Sequence, residues 1–436
     1  MKPLNVLWIC TETGGVNFFR AKMPHDAYQK AYRKDDTAII YYEPGLIKRM
    51  SHDGMLHWEN ELYTDRAFEI RSDISQAVGW ADVVIWMGLH SRASLDLFKW
   101  CRLRYPHVKM VMEIDDFLLS SARSNTAAGE VYRYGGELAK IGLEQMRISD
   151  GLIVSTPSLG EMYKPYAENV YAVENTVDLS LWPKRKKNKR LTIGWIGAGA
   201  HDDDLGVIRN VVPRILEKYP EVEFSIVHGA PEFFKHKPDC EYLLNPNHPL
   251  YKKMQKCPKC GGLDRVKWTH EFRTIDKYPR WAASFGFDVG LAPLVDLNFT
   301  RGKSNLRWLE YSAMGIPTIA SPLNHFRETI RDGETGFIVK DNSEDIWFES
   351  IEKLILDKKL RETVGKKAYE EVKKNWCPSV MAKKYKFALE GIINAESHAG
   401  DACNADRDAD RRSSEHQVHR RTETSGDREG ARAVCS

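Results

Sequence analysis

A glycine, a lysine and a serine, Gly302-Lys303-Ser304, stand directly before a helix-like run in which the acidic residue Glu310 has apolar neighbours. The N-terminus of a helix leaves backbone N–H groups unpaired and carries about half a positive charge, so it attracts phosphate. Glu310 follows Ser304 by six residues, which is roughly 9 Å along a helix axis. This span fits a nucleoside diphosphate along the helix start, with the carboxylate accepting hydrogen bonds from ribose hydroxyls.

On these residues alone, a second interpretation of the same turn stays open. Gly302-Lys303-Ser304 lacks the spacing of a P-loop, so it could be an ordinary helix cap, and Glu310 could be a surface residue. The helix-like run ends at Gly315-Ile316-Pro317 and gives way to a strand-like stretch.

Two aspartates and a histidine are candidate catalytic residues in the first half of the chain. Asp115 and Asp116 end the apolar run KMVMEI, and open α/β sheets line their clefts with residues at strand ends. A hydroxyl group needs a base, or at least an oriented acceptor, to become a nucleophile. Asp115, Asp116 and His90 could take this role. Loop capping by the aspartates and a structural role for His90 remain alternatives.

A second glycine-containing loop, Gly197–Asp204, follows the predicted strand Leu191–Ile196. Its stretch GWIGAGAHD lacks the third glycine of the dinucleotide-binding fingerprint, so a dehydrogenase is disfavoured. The acidic run after His201 contains Asp-x-Asp, which could bind a metal. Because it opens a predicted helix, Leu205–Lys218, capping of that helix is the favoured interpretation.

Cysteines and histidines cluster between the predicted strands of the second half. Cys257-Pro-Lys-Cys260 suits tetrahedral zinc, and His236 with Cys240 offers a second ligand pair, with His248 as a spare. A closed four-ligand site would hold together a loop too small to be stable alone. The sequence therefore predicts a structural zinc site, with free cysteines as the alternative.

Length and composition limit the class of protein. A chain of 436 residues is too long for one ordinary core, which favours two domains. Hydrophobic residues are 42% and charged residues 29%, as in soluble proteins, and the net charge of +3 does not demand a nucleic-acid partner. No apolar run approaches the ~18 residues of a membrane span, and the first residues resemble a strand more than a signal peptide. We therefore expect a cytoplasmic protein with reduced thiols.

Short apolar runs alternate with longer amphipathic ones, which is typical of βα units and a parallel sheet. This alternation predicts a first domain at 1–182 and a second at 191–365, which carries the cysteine-containing insertion 231–265. Closing helices follow at 366–396. The basic run KRKKNKR lies in a linker, 183–190, either as a solvated hinge or as a polyanion contact. Residues 397–436 lack aromatic residues, Leu, Ile and Met, so a disordered tail is expected.

The stretch LAPLVDLNFTRGKSNLRWLEYSAMGIPTIAS, with ETIRDGETGFIV after it, resembles the nucleotide-sugar half of GT-B glycosyltransferases, in particular family 4. The resemblance implies that Glu310 binds the ribose and that the backbone amides of Ser304, Asn305 and Leu306 meet the diphosphate, beside Lys303. The first glutamate of the family's Glu-x7-Glu pattern falls on Gly302, so its contact to the donor sugar is missing or supplied elsewhere. The local theme KS-x-L-K/R-x-L-E-Y is similar to a phage and bacterial branch.

The N-terminal half resembles the same branch through GGVNFFRAKMP, MEIDDFL and the segment that ends in NTVDLSLW, so the resemblance covers most of residues 1–395. It implies that Gly14 and Gly15 approach the donor phosphates. Arg20 could meet a phosphate, or it could be a surface arginine. Family members often place Arg or Lys beside the diphosphate where this chain has neither, so His201, with Gly197 and Gly199, is expected to take that role.

The resemblance implies a GT-B fold, in which two Rossmann-like βαβ domains face each other across a cleft and C-terminal helices cross back. It also implies transfer of a sugar from a nucleoside-diphosphate sugar to a hydroxyl, with retention at the anomeric carbon and without a cofactor for catalysis. The acceptor would be an envelope glycan or a hydroxymethylated base in phage DNA. Alternatives are a sugar-nucleotide epimerase, a phosphorylase, or a non-catalytic sugar-binding protein, the last because of Gly302.

Overall fold

The computed structural model describes residues 3–10, 14–42, 72–87, 92–120, 136–197, 201–227, 231–235, 263–269, 271 and 273–395. In this part of the chain, twelve strands form two six-stranded sheets whose strand pairs are all parallel. Both sheets belong to one compact unit, Met1–Ile393. Of the second unit, Asn394–Ser436, two residues are described.

The first sheet has the strand order β2-β1-β3-β4-β5-β6. Its strands are β1 Asn5–Cys10, β2 Thr37–Tyr42, β3 Val83–Met87, β4 Lys109–Ile114, β5 Gly151–Val154 and β6 Val170–Ala172. The central strands are continuous apolar runs because helices cover both faces of a parallel sheet. These helices are α1 Gly15–Asn17, which continues through a π-helical segment, Phe18–Lys22, into α2 Met23–Tyr32, and then α3 Ser72–Trp80, α4 Arg92–Arg104, α5 Glu137–Ile148 and α6 Pro157–Tyr163.

The second sheet has the strand order β12-β11-β10-β7-β8-β9. Its strands are β7 Leu191–Ile196, β8 Val222–Val227, β9 Val266–Thr269, β10 Val289–Ala292, β11 Thr318–Ala320 and β12 Phe337–Ile338. The helices of this half are α7 Asp202–Gly206, α8 Val211–Lys218, α9 Glu232–Lys235, α10 Tyr278–Ser284, α11 Asn298–Arg301, α12 Leu306–Ala313, α13 Asn324–Arg327 and α14 Glu344–Leu356.

Two long helices, α15 Lys358–Asn375 and α16 Pro378–Asn394, complete the unit. Gly365 lets α15 pack tightly behind α12, since a Cβ atom there would lie 2.2 Å from the Gly315 carbonyl oxygen. The next helix, α16, packs on the first sheet, where Lys386 Nζ lies 2.6 Å from Asp36 Oδ2. The chain therefore crosses back from the second half to the first. No helix in the described ranges is long and apolar enough to cross a membrane.

The predicted helix Leu205–Lys218 is wrong as a single element, because the structure has two helices, α7 and α8, with turn residues between them. Pro213 lies in the first turn of α8. A proline lacks the N–H that would bond to residue 209, and its ring collides with that carbonyl in a continuous helix. The first turn of a new helix tolerates proline, so the break comes before it.

The basic run 184–190 is bound to the second half of the chain rather than solvated throughout. Arg185 Nη1 donates to Asp288 Oδ1 over 2.7 Å, the Lys186 N–H donates to the Ala283 carbonyl, and Asn188 Nδ2 donates to the Phe285 carbonyl. These contacts contradict a hinge that is free in water. The remaining lysines are exposed, and the polyanion contact stays a prediction.

Candidate active site

A cleft of about 680 Å³ lies between the carboxyl ends of strands from both sheets. From the first sheet, the residues after β1 and β4 line it, and from the second sheet those after β7 and β10. Open α/β sheets bind ligands in crevices at this end of their strands. The volume is in the range of small-molecule sites.

The structure brings most of the predicted site residues together in this cleft. Its lining includes Gly14, Gly15, Arg20, Asp115, Asp116, Gly197, His201, Lys303, Ser304, Leu306 and Glu310. Asn305 lies beneath the cleft, and its side-chain Nδ2 donates to Thr329 Oγ1 over 3.1 Å. Its predicted contribution is a backbone amide, which this burial does not affect.

Other predicted residues lie outside the described part of the chain, namely His90, Gly199, His236, Cys240, Cys257 and Cys260. The catalytic role of His90 and the zinc site therefore stay predictions. Within the described ranges, no group of three or more His, Cys, Asp or Glu residues is arranged to hold a metal ion.

The start of α12 presents unpaired donors beside the cleft. The backbone N–H groups of Ser304, Asn305 and Leu306 donate to no other group among the residues that the structure describes. Ser304 and Leu306 line the cleft. A helix start with free N–H groups and the positive end of the helix dipole attracts an anion. The predicted turn is therefore in a position to bind phosphate.

Glu310 is buried in the wall of the cleft, with 4% of its surface exposed, so the surface alternative is wrong. The Tyr278 hydroxyl donates to Glu310 Oε2 over 3.2 Å. Burial raises the pKa of Glu310 to about 7, although the positive charge of Arg307 and the Tyr278 hydrogen bond lower it. A carboxylate in this environment is short of hydrogen-bond donors, which a pair of ribose hydroxyls would supply.

Arg307, one turn before Glu310, lines the cleft and was missing from the predicted site. Its guanidinium carbon lies 5.2 Å from the centre of the Trp195 ring, close enough for a cation–π contact. A Cβ atom at Gly197 would lie 2.9 Å from Arg307 Nη2 and closer still to Trp195, so glycine is needed there. The sequence signal for Arg307 was the basic position of KS-x-L-K/R-x-L-E-Y.

His201 begins α7 and also lines the cleft. Its Nδ1 lies 2.7 Å from Asp204 Oδ2, and Asp204 Oδ1 accepts the Val295 N–H over 2.9 Å. Burial lowers the pKa of His201, while the hydrogen bond to Asp204 raises it and the charge of Arg307 lowers it further. Asp204 thus orients an imidazole that favours the neutral form.

Lys303 contacts the opposite half of the chain. Its Nζ lies 2.9 Å from Asp116 Oδ2 and 4.2 Å from the centre of the Phe299 ring. At the neighbouring Gly302, a Cβ atom would lie 2.9 Å from Phe117 Cβ and 3.0 Å from Leu159 Cδ1. The glutamate that the family pattern places here would collide with the first half of the chain.

Asp115 directly follows β4 and lines the cleft. Burial raises its pKa to about 6, and the negative charge of Asp116 adds to this shift, while Lys303 and Arg20 oppose it. A carboxyl with a pKa near neutrality can exchange a proton with a substrate at physiological pH.

Arg20 is 1% exposed, so the surface alternative is wrong. Its guanidinium forms an ion pair with Glu113, and Nη1 also donates to the Val173 carbonyl over 2.6 Å and to Asn175 Oδ1 over 3.0 Å. The Tyr385 hydroxyl of α16 donates to Glu113 Oε2 over 2.9 Å. Because most of its donors are engaged, Arg20 fits an internal ion pair better than the predicted phosphate contact.

Comparison with known proteins connects the second half of this site to a family of enzymes. Residues 306–371 match the family described as glycosyl transferases group 1. Over 86 residues the chain is 34% identical to the capsular polysaccharide biosynthesis glycosyltransferase CapM of Staphylococcus aureus. It is 33% identical to an uncharacterized glycosyltransferase of Methanocaldococcus jannaschii over the same length. Each match covers 20% of this chain and 22% of the relative, so the chain spans about a fifth of the length of these relatives.

Solved structures match almost the whole chain at low sequence identity. Anabaena HepE in complex with UDP and glucose has a TM-score of 0.57 at 12% identity and covers 89% of this chain and 100% of its own. A glycosyltransferase of Rickettsia africae has a TM-score of 0.57 at 12% identity, with 91% and 100% covered. Sucrose-phosphate synthase of Thermosynechococcus elongatus has a TM-score of 0.55 at 13% identity, with 90% and 100% covered. The expected GT-B fold is confirmed.

Proposed function

We propose that this chain is a glycosyltransferase that moves a sugar from a nucleoside-diphosphate sugar to a hydroxyl group. The proposal rests on one observation: the backbone N–H groups of Ser304–Leu306, which have no acceptor among the described residues, and the buried carboxylate of Glu310 stand beside one cleft. The segment match to glycosyl transferases group 1 begins at the same helix. The fold alone does not fix an activity, so the site residues carry the proposal.

In this proposal, the diphosphate lies at the start of α12, and the ribose hydroxyls donate to Glu310. Gly14 and Gly15 bring the backbone of the first half close to the phosphates, because no Cβ atom separates them from the cleft. When the bond to the sugar breaks, negative charge develops on the departing diphosphate. Fixed N–H groups and the helix dipole stabilise that charge without reorganisation.

Asp115 is the proposed partner of the acceptor hydroxyl. Its carboxyl lines the cleft from the first sheet, and its raised pKa of about 6 suits a group that accepts a proton near neutral pH. Asp116 is engaged with Lys303, which makes Asp115 the better candidate of the two. Retention at the anomeric carbon is carried only by the resemblance, and no enzymatic nucleophile is assigned.

A non-catalytic sugar-binding protein is the second candidate, and Gly302 is the observation that favours it. The close approach of Phe117 leaves no space for the family's first glutamate. A catalytic chain would need to contact the donor sugar in another way. Turnover of the donor separates these candidates.

The acceptor is proposed to be an envelope glycan or a hydroxymethylated base in phage DNA. The exposed lysines of the basic run 184–190 would serve the second of these. Binding to DNA weakens steeply with salt because counterions are released, whereas binding to a neutral glycan does not.

The test is transfer of labelled sugar from UDP-, GDP-, ADP-, CDP- and TDP-sugars to a glycan pool and to hydroxymethylated DNA, with and without added phosphate. Sugar on either acceptor supports a glycosyltransferase and identifies the acceptor class. Epimerised donor without transfer would indicate an epimerase. Sugar transfer that requires free phosphate as the acceptor would indicate a phosphorylase. Tight donor binding without any turnover would indicate the binding protein.

A further inference from the structure

Six side chains that can carry positive charge line the cleft: Arg20, Lys22, His201, Arg273, Lys303 and Arg307. A bound diphosphate would need at least one of them, because helix dipoles and neutral amides only partly offset its charge. Arg20, Lys22, Arg273 and Lys303 each form an ion pair with a carboxylate. Most of the positive charge in the cleft is therefore already balanced.

Arg307 is the exception. Its guanidinium has no hydrogen bond and no ion pair within the part of the chain that the structure describes, although it is half-buried. It has five N–H donors in a planar fork that can bind phosphate oxygens in pairs. Its charge acts on Glu310 and its guanidinium lies over Trp195, but its N–H groups donate to no acceptor among the described residues, and an anionic ligand would accept those hydrogen bonds.

The surroundings of Arg307 fix the position of its charge. The face of the guanidinium packs on Trp195, 5.2 Å from the ring centre, which leaves the N–H edges free. Arg307 is the second residue of α12, and helical side chains lean toward the N-terminus of their helix. The N–H edges of the Arg307 guanidinium are therefore at the N-terminal end of α12, the same end as the backbone N–H groups of Ser304–Leu306.

His201 is less suited to the cationic role that the sequence assigned to it. With Nδ1 donating to Asp204, a neutral ring has a lone pair on Nε2, which repels phosphate oxygens. Lys303 could bind phosphate only by giving up Asp116. Arg307, by contrast, has no ion pair to break among the residues that the structure describes.

We propose that Arg307 is the side chain that binds the diphosphate of the donor, in place of the basic residue missing from the loop 197–204. This inference rests on the proposed function, since it assumes a nucleoside-diphosphate ligand. Arg307 would bind through charge-assisted hydrogen bonds to phosphate oxygens while the amides of Ser304–Leu306 bind others. His201 would remain a neutral acceptor held by Asp204.

The experiment measures the binding of UDP and uridine, and of GDP and guanosine, to the full chain and to Arg307→Gln. Charge-assisted hydrogen bonds contribute enough that the variant should bind the diphosphate on the order of 10- to 100-fold more weakly. Its affinity for the nucleoside should stay within about twofold, because the nucleoside carries no phosphate. His201→Gln should change diphosphate affinity by less than about threefold.

Arg209→Gln is the matched control, because Arg209 also stacks on an aromatic ring, Phe233 at 5.4 Å, but does not line the cleft. It should leave both affinities unchanged. Arg307→Lys keeps the charge and should recover part of the diphosphate affinity that Arg307→Gln loses. If Arg307 had only a structural role, restoring the charge would not restore this affinity.

Three results would overturn the inference while leaving the proposed function intact. The first is a loss of diphosphate affinity below about threefold in Arg307→Gln. The second is an equal loss of affinity for the nucleoside and the diphosphate in that variant, and the third is a larger loss of diphosphate affinity in His201→Gln than in Arg307→Gln. If the unchanged protein binds no nucleoside diphosphate, the proposed function fails and this inference fails with it.

Discussion

The ammonium of Lys303 lies 2.9 Å from the carboxylate of Asp116, so the basic residue of the turn predicted to bind phosphate is held by an aspartate that follows β4 of the first sheet. The two side chains are 23% and 29% exposed, which makes the ion pair weak in its effect on stability. Its importance lies in the cleft, where a diphosphate would compete with Asp116 for Lys303.

Asp116→Asn should strengthen the binding of UDP or GDP by about fivefold, the equivalent of ~1 kcal/mol for a partly exposed pair. The substitution removes a negative charge beside the diphosphate and releases Lys303. Isothermal titration measures the effect. Asp296→Asn breaks an exposed ion pair with Arg301 outside the cleft and should have no effect. Weaker binding by Asp116→Asn would contradict competition for Lys303.

Glu310 should make stability depend on pH. Its pKa rises from 4.5 to about 7 on folding, so the folded protein binds the proton more tightly than the unfolded chain does. Between about pH 4.5 and 7, stability from this group therefore falls as the pH rises. Over that window the free energy of unfolding should fall relative to that of Glu310→Gln by up to about 3 kcal/mol.

Denaturant titrations of both proteins at several pH values measure this difference. Glu310→Gln mimics the protonated carboxyl and keeps Glu113 and Asp115, whose pKa values are also raised, unchanged. A constant difference between the two proteins across the window would show that folding does not shift the pKa of Glu310.

Glu113→Gln should destabilise the protein by ~3–5 kcal/mol, because it leaves the buried guanidinium of Arg20 without a countercharge. Tyr385→Phe removes one hydrogen bond to the same carboxylate and should cost about 1 kcal/mol. Urea denaturation measures both. Glu161→Gln, at an exposed ion pair, is the control and should cost less than ~1 kcal/mol. A similarly small cost for Glu113→Gln would mean that the buried ion pair of Arg20 and Glu113 is not needed for stability.

Gly302→Ala should destabilise the contact between the two halves by ~1–3 kcal/mol, since the new methyl group would lie 2.9 Å from Phe117 Cβ. Measured in a Phe117→Gly background, which removes that Cβ atom, Gly302→Ala should cost less than it does in the unchanged protein. Gly206→Ala, where an added Cβ meets no atom within 4 Å, serves as the control for the glycine change itself. If Gly302→Ala is neutral, the close approach of the halves does not constrain this position.

Zinc content tests the cysteine-rich segment, which lies outside the described residues. We expect about one zinc ion per chain, because four ligands of the predicted types form one tetrahedral site. Mass spectrometry of the metal in purified protein measures it. The double substitution of Cys257 and Cys260 to alanine should abolish binding, whereas Cys377→Ala should retain it. A metal-free protein in which Cys240, Cys257 and Cys260 are reduced thiols would favour the free-cysteine alternative.

The parallel strands were readable from the sequence where both faces are buried, as in β7, whose predicted bounds Leu191–Ile196 agree with the structure, and in β4, which is the apolar run KMVMEI. The strands β9 and β12 were missed because one is half-exposed and the other has two residues. Thr37–Tyr42 is rich in β-branched and aromatic residues and could have been found.

The local parts of the site were predictable, and its tertiary parts were not. The turn at Ser304 and the carboxylate of Glu310 belong to one helix, whose spacing the sequence contains. The position of Arg307 in the cleft depends on Trp195 in β7, which its guanidinium contacts, and on Gly197 just after β7, which leaves space for it. The sequence of α12 alone does not contain these contacts. In the same way, Gly302 is explained by Phe117, which lies 185 residues away in the sequence (302 − 117).

A thermal-shift panel of UDP, GDP, ADP, CDP and TDP sugars, on the unchanged protein and on Glu310→Ala, tests the donor site most directly. A ligand at 100 times its dissociation constant adds about 2.7 kcal/mol of stability, which shifts the midpoint measurably. We predict that one nucleotide raises the midpoint of the unchanged protein and that Glu310→Ala loses most of this gain. No shift with any nucleotide sugar, or an equal shift in the variant, would contradict a donor site built on Glu310.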